Sequence, residues 1–120
     1  MFILNKVKEK NKDYVLKAVE NNGMILKFAS DELKNDKDVV LAAVSQNGYA
    51  LRYASPEMQN DKDIVLKAIE YDGYTLEYAS HELRSDKDFM LKAVENDAFA
   101  LSCASPELKN DKDVVTMAIS

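Results

Sequence analysis

A period of 25 residues runs through this chain without a gap, and it constrains the fold more than any other feature. Asp13, Asp38, Asp63, Asp88 and Asp113 stand at that step, as do Ala18, Ala43, Ala68, Ala93 and Ala118. Leu26, Leu51, Leu76 and Leu101 keep the same register, and so do Ala29, Ala54, Ala79 and Ala104. A strict period of this size signals an array in which each unit buries its apolar face only by stacking on its neighbours. Helical spacing inside the unit makes the expected fold class all-α: a solenoid-like α-helical repeat array with a 25-residue unit, each unit holding one long helix and two short helical turns. One domain is expected over 1–120. It divides into an N-terminal cap at 1–10, units at 11–35, 36–60, 61–85 and 86–110, and a terminal half-unit at 111–120.

The second copy, NDKDVVLAAVSQNGYALRYASPEM from Asn35 to Met58, shows the local logic. Asn35 and Asp36 are good N-caps, because their side-chain oxygens accept orphan backbone N–H groups. With Asn35 as the cap, Asp38 takes the third helical position and can reach back. Val39, Val40, Ala43, Val44 and Asn47 make one stripe, and Leu41 adds a second buried direction. Asp38, Ala42, Ser45 and Gln46 make the exposed stripe. The core slots are therefore Val40, Ala43, Val44, Leu51 and Ala54 with their equivalents. Gly23, Gly48 and Gly73 share the slot that ends the long helix, where a left-handed residue is commonly needed. Ala98 in that slot is expected to end its helix differently or to carry strain of about 1 kcal/mol. Ser55-Pro56 reads as a fresh helix start, with serine at the cap and proline at the first helical position. Thr116 replaces the recurring Leu16, Leu41, Leu66 and Leu91, as expected where no further unit covers the slot.

Composition narrows the partners. A net charge of −5 argues against a nucleic-acid backbone as ligand and favours, weakly, a basic partner. Cys103 is the single cysteine, so no disulfide forms within the chain. The apolar run Phe2–Leu4 is too short for a Sec-type signal or a membrane span. The expected location is cytoplasmic, or one reached by a route without a Sec-type signal, with no membrane partner.

The segments ASPEMQNDKDIVLKAIEYDGYTLEYAS and ASHELRSDKDFMLKAVENDAFALSCAS resemble the short helical repeat family catalogued as domain of unknown function 4116. The likeness covers roughly residues 11–120. It implies an α-helical repeat and carries no agreed activity, cofactor or catalytic residue. Ala98, Cys103 and His81 depart from the family pattern at the glycine, aromatic and proline/aspartate slots.

No catalytic, metal or cofactor site is legible. The Asp-Lys-Asp triplets pair Asp36 with Asp38, Asp61 with Asp63, Asp86 with Asp88 and Asp111 with Asp113. A calcium loop needs further oxygen ligands and a glycine at fixed offsets, whereas here an apolar helix follows at once, so capping is the reading. His81 lacks a ligand cluster and falls on a first turn. Cys103 stands where Phe28, Tyr53 and Tyr78 stand elsewhere, and a small thiol filling a gap suits that slot. No base, nucleophile and orienting group come together, so no enzyme is expected.

The candidate interaction surface is Tyr49, Arg52, Tyr71, Tyr74, Glu77 and Met117, either packed between units or presented to a partner. Two function classes follow. One is a non-catalytic scaffold for an unidentified protein partner. The other is an acidic antagonist covering a basic surface of a nucleic-acid-binding protein or nuclease. Met117, with Val114 and Ile119, also points to a weak homodimer through the C-terminal end.

Overall fold

The computed structural model describes residues 10–120, so the cap expected at 1–10 lies almost wholly outside the described residues. Every element among them is helical. The long helices are α1 (Lys12–Asn21), α3 (Lys37–Gln46), α5 (Lys62–Tyr71), α7 (Lys87–Asn96) and α9 (Lys112–Ala118). Each of the first four leads into a 3-10 helix: η1 (Gly23–Phe28), η2 (Gly48–Tyr53), η3 (Gly73–Tyr78) and η4 (Ala98–Cys103). One-turn helices α2 (Asp31–Lys34), α4 (Pro56–Gln59), α6 (His81–Arg84) and α8 (Pro106–Lys109) then return the chain to the next long helix. Successive long helices pack side by side, and successive 3-10 helices pack likewise, giving a stack of 52 × 21 × 19 Å.

Capping decides where each element starts. Asp36, not Asn35, caps α3, and its carboxylate accepts from the N–H groups of Asp38 and Val39. Asp111 does the same for α9 through the Asp113 and Val114 N–H groups, while Asp61 and Asp86 each accept one, from Ile64 and Phe89. Asn35 instead ends α2, because the polypeptide turns there before the new helix opens. Ser30, Ser55 and Ser80 cap the one-turn helices through their hydroxyls, with Pro56 at the start of α4.

The core follows the period. Val40, Ala43, Val44 and Leu51 are fully buried, and Ala54 is buried with them. The slot of Val39, Ile64, Phe89 and Val114 is equally buried, as is that of Ala50, Thr75 and Ala100. Burial fades at the last copy, where Val115 and Ala118 are half-buried and Ile119 is exposed. Leu16, Leu41, Leu66 and Leu91 are half-buried, and Thr116 is exposed.

The glycine slot works differently from the expected left-handed terminus. No glycine among the described residues has positive φ. Asn47 leaves α3 in extended backbone and caps η2, and Gly48 opens η2 instead of ending α3. Glycine is needed there for close approach: a Cβ on Gly48 would stand 2.6 Å from the Ala68 carbonyl oxygen of the next unit. Ala98 is exposed and has no positive φ, so it carries no left-handed strain.

Candidate functional site

The Asp-Lys-Asp triplets build the junctions between units. The Lys12 ammonium sits 3.0 Å from Asp36 Oδ2 and 3.2 Å from Asp38 Oδ2 of the next long helix. Lys37 makes the same fork with Asp61 and Asp63, and Lys87 with Asp111 and Asp113. Lys62 reaches only Asp86, at 3.9 Å. One carboxylate in each pair thus caps its own helix and also holds the lysine of the preceding unit. Of the aspartates in these four pairs, all but Asp88 lie against the ammonium of the preceding unit. Backbone bonds run beside this ladder: the N–H groups of Ser55, Ser80 and Ser105 donate to the carbonyls of Lys34, Gln59 and Arg84, each at 2.9 Å.

These contacts move the titrations in consistent directions. Burial pushes the Asp36 carboxyl up, but the Lys12 ammonium and the Val39 and Asp38 N–H groups hold it below the usual range. The Val114 N–H and the Lys87 ammonium hold Asp111 down. Lys12, Lys37 and Lys87 are raised by their carboxylate partners. Carboxylates lowered on folding stabilise the fold above about pH 4 and lose that contribution as pH falls through their folded values. Lysines raised on folding stabilise it below about pH 10.5 and lose that contribution as pH climbs through their folded values. The urea midpoint is therefore expected to hold a plateau from about pH 5 to about pH 10 and to fall on both sides. High salt should flatten the contribution of this exposed ladder.

The tyrosine cluster is real and lies between units. The Tyr49 ring meets Tyr71 edge-on at 6.1 Å and Tyr78 edge-on at 6.3 Å. Its hydroxyl donates to Asp72 Oδ2 at 2.6 Å, while the Asp72 carboxylate also accepts the Tyr74 N–H. The bond to Asp72, helped by burial, pushes the Tyr49 phenol up to about 12. Its hydrogen bond therefore contributes stability below pH 10 and loses it as pH rises through about 12. Glu77 is exposed and close enough to add to that shift. Arg52 lies over Tyr53 at 5.2 Å and over Tyr78 at 5.7 Å, in cation–π geometry.

Sequence reasoning missed one member of this face. Phe99 is 62 % exposed and stacks on Tyr74 at 5.5 Å. The signal was present, because Tyr49, Tyr74 and Phe99 occupy one slot at steps of 25. Beside Phe99 opens a cavity of about 380 Å³ lined by Ala98, Leu101, Ser102 and Lys109. Tyr71 and Tyr74 are exposed as well. Met117 is half-buried and packed against the core. Val114 is fully buried, so the expected apolar patch of Val114, Met117 and Ile119 reduces at its outer edge to Ile119. His81 is exposed, with Nε2 3.3 Å from Ser85 Oγ. The Cys103 thiol is half-buried, 3.8 Å from the Tyr74 carbonyl oxygen.

Fold and site together define a stacked helical-repeat protein with an aromatic inter-unit face. No helix among the described residues is long and apolar enough to cross a membrane. The family model described as "Domain of unknown function (DUF4116)" matches residues 11–59, 61–109 and 86–120, and the chain belongs to that family. Each of the two longer matches spans two of the 25-residue units. No curated protein and no solved structure matches the chain.

Proposed function

We propose that this chain is a non-catalytic protein-interaction module that binds its partner through the aromatic face of Tyr49, Arg52, Tyr71, Tyr74 and Glu77, extended by Phe99. The observation that carries the reading is the Tyr74–Phe99 stack, two large rings left open to solvent beside an apolar cavity. Rings of this kind supply most of the binding energy at protein interfaces when a partner buries them, and they cost little side-chain entropy. Contiguous exposed apolar surface marks such sites. Capture from the native source followed by mass spectrometry tests it. A specific partner should be retained by wild type and by Lys67→Ala, and lost at least tenfold by the Tyr74→Ala, Phe99→Ala double variant. Equal retention by the double variant refutes this face.

One observation favours the acidic alternative. Glu32, Glu57, Glu82 and Glu107 stand one unit apart, all exposed and without an ion pair among the described residues. A partner held by that line would dissociate steeply with salt, whereas one held by the aromatic face would not.

A further inference from the structure

Three junctions between successive long helices are alike, and the one between α5 and α7 is not. Where α1 meets α3, α3 meets α5 and α7 meets α9, the leading lysine reaches the second aspartate of the following triplet at 3.2, 3.0 and 2.8 Å. Between α5 and α7, Lys62 stands 3.9 Å from Asp86, and Asp88 has no ion pair among the described residues. The glycine contact changes at the same place. The Ala43 and Ala68 carbonyl oxygens close on Gly23 and Gly48, whereas a Cβ on Gly73 would first meet the Asp97 side chain and the Ala100 nitrogen. A cleft of about 170 Å³ opens here, lined by Lys62, Asp63, Leu66, Asp88, Phe89 and Lys92. The pair of residues after each triplet supplies the cause. It is Val39-Val40 in α3, Ile64-Val65 in α5 and Val114-Val115 in α9, but Phe89-Met90 in α7. Phe89 and Met90 are both buried, and their larger side chains in slots sized for valine and isoleucine hold α7 off α5.

The other side of the same junction is tight. The Asp97 carboxylate accepts the Gly73 N–H at 2.8 Å and the Phe99 N–H at 2.9 Å, one through each oxygen, and so clips η3 to η4. Tyr74 stacks on Phe99, and the Ser105 N–H donates to the Arg84 carbonyl as its counterparts do elsewhere. From this asymmetry we propose that the third junction is a hinge, with its pivot at η3–η4 and its mouth between α5 and α7. The segment from α7 to α9 swings as a body against the units before it. Lys62 and Asp88 form the latch: on closure Lys62 enters the fork of Asp86 and Asp88, as Lys12, Lys37 and Lys87 enter theirs. Phe89 and Met90 oppose that closure, and an exposed ion pair is too weak to enforce it. The swing changes the curvature of the stack and leaves the Tyr74–Phe99 contact in place, so one joint adjusts the shape while the remaining junctions stay packed.

Distances between pairs of spin labels test this in a Cys103→Ser background. Ser45→Cys with Glu95→Cys spans the second and third junctions on the long-helix side, and Arg52→Cys with Ser102→Cys spans the same junctions on the 3-10 side; all four positions are exposed. With the native Phe89-Met90 pair, the long-helix labels should give a distance distribution roughly twofold broader than the 3-10 labels, since a hinge moves its mouth and holds its pivot. Phe89→Val with Met90→Val, which restores the pair found in α3 and α9, should narrow the long-helix distribution and shorten its mean while leaving the 3-10 labels unchanged. A double-mutant cycle of Lys62→Ala and Asp88→Asn, read by urea unfolding, gives a second measure. The coupling should be negligible in the native chain and should reach roughly two- to fivefold in the unfolding constant once Phe89 and Met90 are reduced. Equal widths on the two sides overturn the hinge, and that comparison needs no change at Phe89 or Met90. A long-helix distribution that stays as broad in the folded Val-Val variant overturns it as well.

Discussion

Leu51→Ala is expected to destabilise the chain by about 2–5 kcal/mol, the range for emptying a fully buried leucine site. Leu51 lies at 0 % exposure in η2, enclosed by its own long helix and by the neighbouring unit. Removing the side chain therefore loosens one unit and its junctions at once. In an array held by nearest-neighbour contacts, a central defect uncouples the halves on either side. Thermal unfolding should shift down by roughly 10–20 °C for a chain of this size. Leu101→Ala makes the same chemical change in a half-buried copy of the slot and should cost less than half as much. Equal losses at the two positions would show that the neighbouring unit does not seal this slot.

Gly48→Ala is the second large effect, and it separates two explanations of one residue. A left-handed glycine would resist substitution because of its backbone, but Gly48 has no positive φ. The obstacle is the next unit, with the Ala68 carbonyl oxygen 2.6 Å and the Tyr71 Cβ 2.9 Å from where the methyl would go. Backbone has to move for the methyl to fit, and overpacking of this kind costs typically about 1–3 kcal/mol, occasionally more. A second readout follows from geometry. Pushing α5 away from η2 should also strain the Tyr49–Tyr71 contact and the Tyr49–Asp72 hydrogen bond, so the phenol should titrate lower than about 12. Ala98→Gly in the exposed copy of the slot should change stability by well under 1 kcal/mol. A destabilisation at Ala98 as large as at Gly48 would point back to backbone conformation.

Much of the architecture was legible because the period repeats the same local chemistry in every copy. The unit length, the long helix from Lys12 to Asn21 and its copies, the serine caps at Ser30, Ser55 and Ser80, and the core slots led by Val40, Ala43, Val44, Leu51 and Ala54 follow from spacing and side-chain type. These are near-neighbour properties. A cap bonds within a few residues, and an apolar stripe is set by the pitch of one helix. The exposed Thr116 was readable for the same reason, since one polar residue in an apolar slot marks a side that lacks cover.

The tertiary structure alone decided what crosses between units. The aspartate pairs were legible as marking a helix start, although the cap is Asp36 and Asp38 does not reach back, and nothing local shows that Lys12 lies in the fork of Asp36 and Asp38, because that pairing needs the two helices side by side. The glycines were visible at steps of 25, yet their role is set by the next unit: Gly23 and Gly48 face the carbonyls of Ala43 and Ala68, and Gly73 faces the Asp97 side chain. Tyr49 gives no sign of its partner Asp72 until η2 packs against the following unit. Sequence spacing reports the pitch of a helix. The distance between units is fixed by close packing of whole faces, and with it the ion-pair ladder, the glycine contacts and the exposed aromatic edge at Tyr74 and Phe99.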